Sequence, residues 1–196
     1  SPELQSIIVT QFALGYVYGN VFQAQVFHWT EEFEFSVEDM GTLTIIMPCI
    51  IAICLGMSGV IMTMFGPVRS VYVSMICMGA NCALVMAVLD TSAGFTIISM
   101  LVWLWHSIAV NAHNTLPPAV AIKYTVNGLG VINGISMFAY AAGQAVAPLL
   151  VSVMYEAETW LPWMSCAIVV SFSVVFRILR GQPLFVDPPP PVPLHA

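Results

Sequence analysis

Two stretches of this chain set neutral hydrogen-bonding side chains at helical spacing inside apolar sequence. In the first, Gln11, Tyr18 and Gln25 recur every seven residues and share one helical face. Tyr16, Asn20 and Gln23 share another face approximately. Amides and phenols supply donors and acceptors without net charge, which suits the orientation of an uncharged or zwitterionic small molecule. In the second stretch, Trp103, His106, Val110 and His113 recur at three, four and three residues and form one stripe. Imidazole is the side chain that takes up a proton near neutral pH, so His106 is a candidate for proton coupling. Its plainer role is that of a neutral histidine bonded to a backbone carbonyl, and His113 would simply solvate a helix end. The corresponding plain role for the first stretch is hydrogen bonding between helices, which holds a bundle together. Asn20, Gln23, Tyr16, Trp103 and His106 are therefore the candidate substrate-binding residues, joined by Asn133 and Gln144, which interrupt a third apolar run.

The elements that must position these side chains are membrane helices. The chain has 196 residues, 59% of them hydrophobic and 7% charged, with a mean hydropathy of +0.91. Soluble domains carry about 25% charged residues. About 20 apolar residues suffice to cross the hydrocarbon, and cutting the sequence at its polar breaks gives six such segments. They run over about 6–27, 40–64, 70–89, 94–114, 125–154 and 160–179. Pro117 and Pro118 end the fourth, because proline neither donates a backbone bond nor continues a helix. All four basic residues then fall on one side: Arg69 in the second connection, Lys123 in the fourth, Arg177 and Arg180 at the end of the last span. The odd-numbered connections hold Glu31, Glu32, Glu34, Glu38, Asp39, Asp90, Glu156 and Glu158. Cytoplasmic loops favour Lys and Arg, so the expected topology is six spans with both ends in the cytoplasm. Trp160 and Trp163 would anchor the last span outside, and Arg177 and Arg180 inside.

Residues 1–182 are thus expected to form one all-α bundle, and residues 183–196, with Pro188 to Pro191, an extended and disordered cytoplasmic tail. Spans one and four are the polar pair, two and five carry Gly and Pro, and three and six are the plainest. That pattern is what a three-plus-three inverted repeat shows. The five cysteines all lie inside apolar segments without metal-ligand spacing, so neither a metal nor a cofactor is expected. No basic patch points to nucleic acid. The chain opens Ser-Pro with no cleavable leader pattern, as a segment of a longer protein or a processed product would. No Asp or Glu lies mid-span, so this sequence supplies no carboxylate for proton or sodium coupling.

Three stretches together resemble the C-terminal half, spans seven to twelve, of a major facilitator superfamily (MFS) transporter. Phe35-Ser36-Val37-Glu38-Asp39-Met40-Gly41 resembles the amphipathic lead-in to span eight. Gly59-x3-Thr63-Met64-Phe65-Gly66-x2-Arg69 resembles the short basic signature between spans eight and nine, with Thr63 and Met64 in place of the usual Asp-Arg pair. Leu129-Gly130-x2-Asn133-Gly134, with Pro148 later, looks like span eleven of a eukaryotic branch, although Gln144 stands where that branch has Arg and Ala147 where it has Gly. The resemblance implies a membrane secondary carrier, in the plasma membrane or an organelle membrane. Its spans one and four would line the substrate path, with Gly59, Gly66 and Arg69 as a gating latch. It also implies a second six-span half as partner, a small organic solute as substrate and alternating access as mechanism. The alternative is a non-transporting scaffold subunit with the same fold. An intramembrane protease is disfavoured: Gly56-Met57-Ser58-Gly59 has the Gly-x-Ser-Gly form, but Ser58 sits near the cytoplasmic end of the second span. Small residues at Gly130 and Gly134 are expected to pack helices closely.

Overall fold

The computed structural model describes residues 2–118, 120 and 129–180. Among them are six long helices and no strand: α1 (Pro2–Phe27), α2 (Val37–Phe65), α3 (Pro67–Met86), α4 (Ser92–His113), α5 (Leu129–Ala157) and α6 (Leu161–Leu179). The described part of the chain is all-helical, and the protein is an integral membrane protein. Five helices, α2 to α6, are long and apolar enough to cross a membrane. The first is long enough but too polar, and packing explains how it tolerates that. Thirteen of its residues are buried, among them Thr10, Gln11, Asn20 and Gln25, so these polar side chains face other helices and each makes at least one bond there. Lys123, Asn127 and the proline-rich tail lie outside the described residues.

Local chemistry sets the boundaries. Ser36 and Asp39 form a capping box: Ser36 Oγ accepts from the Asp39 backbone N–H, and the Asp39 carboxylate accepts from the Ser36 N–H at 3.0 Å. This cap starts α2 at Val37, three residues before the start of the apolar run. The stretch that resembles a family lead-in is therefore the first turn of the helix. Ser36→Ala should lower thermal stability by about 1 kcal/mol, read from unfolding in detergent, with Thr42→Ala nearby as a control that changes little. Between α2 and α3 the turn shrinks to Gly66, at φ 78°, a conformation that favours a residue without a side chain. Pro67 then opens α3, where a missing N–H costs nothing. A π-helical turn, His28–Glu32, extends α1. It buries His28 between the Leu89 carbonyl (2.9 Å) and the Tyr155 hydroxyl (3.1 Å), tying this end of α1 to α5 and to the end of α3.

Helices α1, α4, α3 and α6 form a closed ring, each packed on the next. Helix α5 lies against α1 and α6, and α2 against α4 and α3. The α1–α5 pair is the tightest. Gly15 and Gly143 face each other, and a Cβ at Gly15 would collide with the Tyr140 carbonyl, while one at Gly143 would lie 2.6 Å from the Tyr16 nitrogen. One turn on, a Cβ at Gly19 would lie 2.9 Å from the Gln144 carbonyl and 3.1 Å from the Ala147 methyl. The expected packing role for Gly130 and Gly134 is not met among the described residues: none of them lies within 4 Å of a Cβ at either, and both are exposed. The small-residue contact is made instead by Gly15-x3-Gly19 on Gly143-x3-Ala147.

Two anchoring expectations also need correction. Trp163 is completely buried, its ring edge-on to Phe95 with centroids 5.5 Å apart, so only the half-exposed Trp160 remains at that boundary. Arg177 is completely buried too. Its guanidinium donates to Thr10 Oγ1 of α1 at 3.0 Å and to His113 Nδ1 of α4 at 3.5 Å, and lies 5.2 Å from the Tyr72 ring centroid of α3. All four ring helices meet at this one cation. His113, expected merely to solvate a helix end, is part of that junction.

Candidate functional site

The site is built along the seam where α1 meets α4, with α2 and α5 on either side. Two adjoining chambers open there, of about 180 and 170 Å³, sharing Tyr18, Ile51 and Trp103 as walls. The larger is bounded by Phe22, Gln25 and Trp29 of α1 and its extension, and by Met40, Thr44, Met47 and Pro48 of α2. The smaller is bounded by His106, Ser107 and Val110 of α4, Leu55 of α2 and Tyr140 of α5. Aromatic rings dominate. Tyr18 meets Trp103 edge-on at 5.2 Å between centroids, with His106 at 5.8 Å and Tyr140 at 6.4 Å. Among the described residues, neither chamber has a charged side chain in its wall.

The polar atoms of the seam have definite roles. Trp103 Nε1–H donates to Gln25 Oε1 at 2.6 Å. His106 Nε2 lies 3.0 Å from the Leu14 carbonyl, an atom that can only accept, so Nε2 carries a proton. His106 thus makes the carbonyl bond of the plainer reading and also lines the smaller chamber.

Of the residues expected to bind substrate, Trp103 and His106 line the seam. Tyr16, Asn20 and Gln23 face the other way: Tyr16 bonds Ser165 of α6 at 3.0 Å, Asn20 donates to the same Ser165 at 3.0 Å, and Gln23 donates to Ser152 of α5 at 3.3 Å. Asn133 borders a separate cavity of about 230 Å³ with Asn114 and Ser136. Gln144 lies half-buried where α5 crosses α1, its backbone carbonyl against Gly19. Of the latch residues, Gly59 is exposed, Gly66 forms the α2–α3 turn and Arg69 is half-buried in the first turn of α3. The structure does not bring these three to the seam.

The seam is carried on α1 by Tyr18 and Gln25, which the sequence places on one face but not among the candidate substrate-binding residues, and on α5 by Tyr140. The signal was present in the seven-residue spacing of Gln11, Tyr18 and Gln25. Gln11 belongs to the same face, donating to Asn114 Oδ1 at 3.0 Å. Ser58 accepts from Asn111 and donates to the Leu55 carbonyl, so its hydroxyl faces an amide and not a histidine. A larger groove of about 560 Å³ between α1, α5 and α6 has, among the described residues, only apolar side chains in its wall, as a lipid-facing surface would.

Comparison with protein-family models, with curated proteins and with solved structures finds no match. Fold and seam define a polytopic helical membrane protein with an aromatic, uncharged cleft on one face.

Proposed function

We propose that this chain is one six-helix half of an MFS-type secondary carrier, moving a small organic solute by alternating access along the α1–α4 seam. The observation that carries the reading is the position of that seam on a face that invites a partner. The helices beside it are the least covered: 11% of the apolar stretch of α2 is buried and 22% of that of α5, against 50% for α3. The exposed glycines Gly56, Gly59, Gly130 and Gly134 lie on the same two helices. A second six-helix bundle placed there would cover them and close the cleft into a path. The opposite face, along α3 and α6, would meet lipid. The helix pairings add support, because they are unchanged when α1, α2 and α3 exchange places with α4, α5 and α6. That invariance is what a three-plus-three inverted repeat requires. In this reading all six helices span, both ends are cytoplasmic, and α1 tolerates its polarity through its burial.

One observation favours a static scaffold instead: Tyr16, Asn20 and Gln23 all serve in bonds between helices. Cysteine accessibility separates the two. With Cys49, Cys54, Cys77, Cys82 and Cys166 replaced by Ala, Tyr18→Cys should react with a membrane-impermeant thiol reagent added from either side. Asn20→Cys should stay unlabelled. A scaffold leaves Tyr18→Cys unreactive from both sides, and a fixed pit admits reagent from one side only.

A further inference from the structure

We infer that the larger seam chamber binds an uncharged aromatic group bearing a single hydrogen-bond acceptor, which is received by the amide nitrogen of Gln25. The inference deepens the carrier reading and rests on it for the name substrate. Binding itself needs only the chamber.

The orientation of Gln25 is fixed by chemistry. Indole N–H is a donor and never an acceptor, so the atom 2.6 Å from Trp103 Nε1 has to be the amide oxygen. That leaves the NH2 group on the other side. Gln25 is completely buried, and its Nε2 has no partner. A buried donor without a partner is costly in a membrane interior, and Trp163 Nε1 and Arg177 Nε are in the same position. Gln25 differs from these in being a residue that lines the larger seam chamber.

Shape and charge narrow the ligand. A cavity of roughly 150 Å³ lined by apolar side chains is enough to hold benzene, so a chamber of about 180 Å³ takes one ring with a short substituent. Tyr18, Phe22, Trp29 and Trp103 offer ring faces and edges, and Met40 and Met47 offer sulfur. With no charged side chain in the wall among the described residues, a carboxylate or ammonium would be desolvated without compensation. A carbonyl oxygen, by contrast, satisfies the waiting N–H.

The test is a fluorine NMR titration of the full chain in lipid nanodiscs, with empty nanodiscs as the blank. Three probes are compared: a fluorinated acetophenone, the matching fluorinated ethylbenzene, and fluorobenzoate. The ketone should bind about tenfold more tightly than the ethylbenzene, the size of one well-made buried hydrogen bond, and fluorobenzoate should not compete. Gln25→Leu alone would free the Trp103 N–H, so the informative variant is Gln25→Leu combined with Trp103→Phe. It should abolish the preference for the ketone while still binding the ethylbenzene, which reports that the chamber has kept its shape. Equal affinity for ketone and ethylbenzene in the wild type overturns the inference, as does a preference that survives the double variant. The cysteine labelling decides the carrier reading separately, so a chamber that binds the ketone in a protein labelled from one side alone sinks the carrier and spares the ligand class.

Discussion

Gly15→Val and Gly143→Val each separate α1 from α5, and each should cost about 3 kcal/mol or more, at or beyond the upper end of what overpacking costs. The reason is the kind of atom in the way. A Cβ at Gly15 meets the Tyr140 carbonyl, and one at Gly143 meets the Phe12 carbonyl and the Tyr16 nitrogen. Side chains can turn aside, but backbone in the middle of a helix cannot. Relief therefore requires the two helices to move apart, and the Gln23–Ser152 bond would be lost with the contact. Thermal unfolding in detergent, followed by tryptophan fluorescence, measures the effect. Gly134→Val supplies the contrast: with open space around that position, it should change stability by no more than about 0.5 kcal/mol. Equal melting of Gly15→Val and Gly134→Val would mean that the α1–α5 crossing is looser than its geometry.

The same pair of helices shows what could be read in the sequence and what could not. Hydropathy and turn residues place all six helices to within a few residues, because length and breaker chemistry are local properties. The error at α2 comes from a cap: Ser36 and Asp39 are polar, so an apolar count starts too late, while hydrogen bonding starts the helix earlier. Which face of α1 borders the cleft is not local. Both polar faces were visible as spacings, and both are filled with amides and a phenol. The choice between them depends on where Ser165, Ser152 and Trp103 arrive from distant helices. Composition favoured Asn20 and Gln23, but two serines, individually unremarkable in an apolar run, satisfy them. Gly15-x3-Gly19 was as legible as Gly130-x3-Gly134, and only the partner helix separates a packing motif from a bare surface. Arg177 fails for a related reason. A basic residue near a helix end is read as an anchor at the membrane surface, and only the arrival of Thr10, His113 and Tyr72 turns it into an interior group.

That interior group gives the other large effect. Arg177 is held by neutral partners among the described residues: a threonine hydroxyl, an imidazole nitrogen and a phenol ring. The Thr10 hydroxyl also accepts from Ser173 at 3.3 Å, so one oxygen serves two donors of α6. Thr10→Val keeps the shape and removes that oxygen, leaving a buried cation with one acceptor fewer. Hydrogen bonds to charged groups contribute about 1.5–3 kcal/mol, so a loss near the top of that range is expected in thermal unfolding. Arg177→Met should behave in the opposite way. Replacing a buried charge by an apolar side chain of similar volume is often neutral, or stabilising by about 1–4 kcal/mol, because the desolvation penalty leaves with the charge. The decisive measurement combines the two. In the Arg177→Met background, Thr10→Val should lose most of its cost, giving a coupling energy of about 2 kcal/mol for residues in direct contact. Simple additivity would show that Thr10 acts by packing alone, and that the ring of α1, α3, α4 and α6 does not depend on its buried cation.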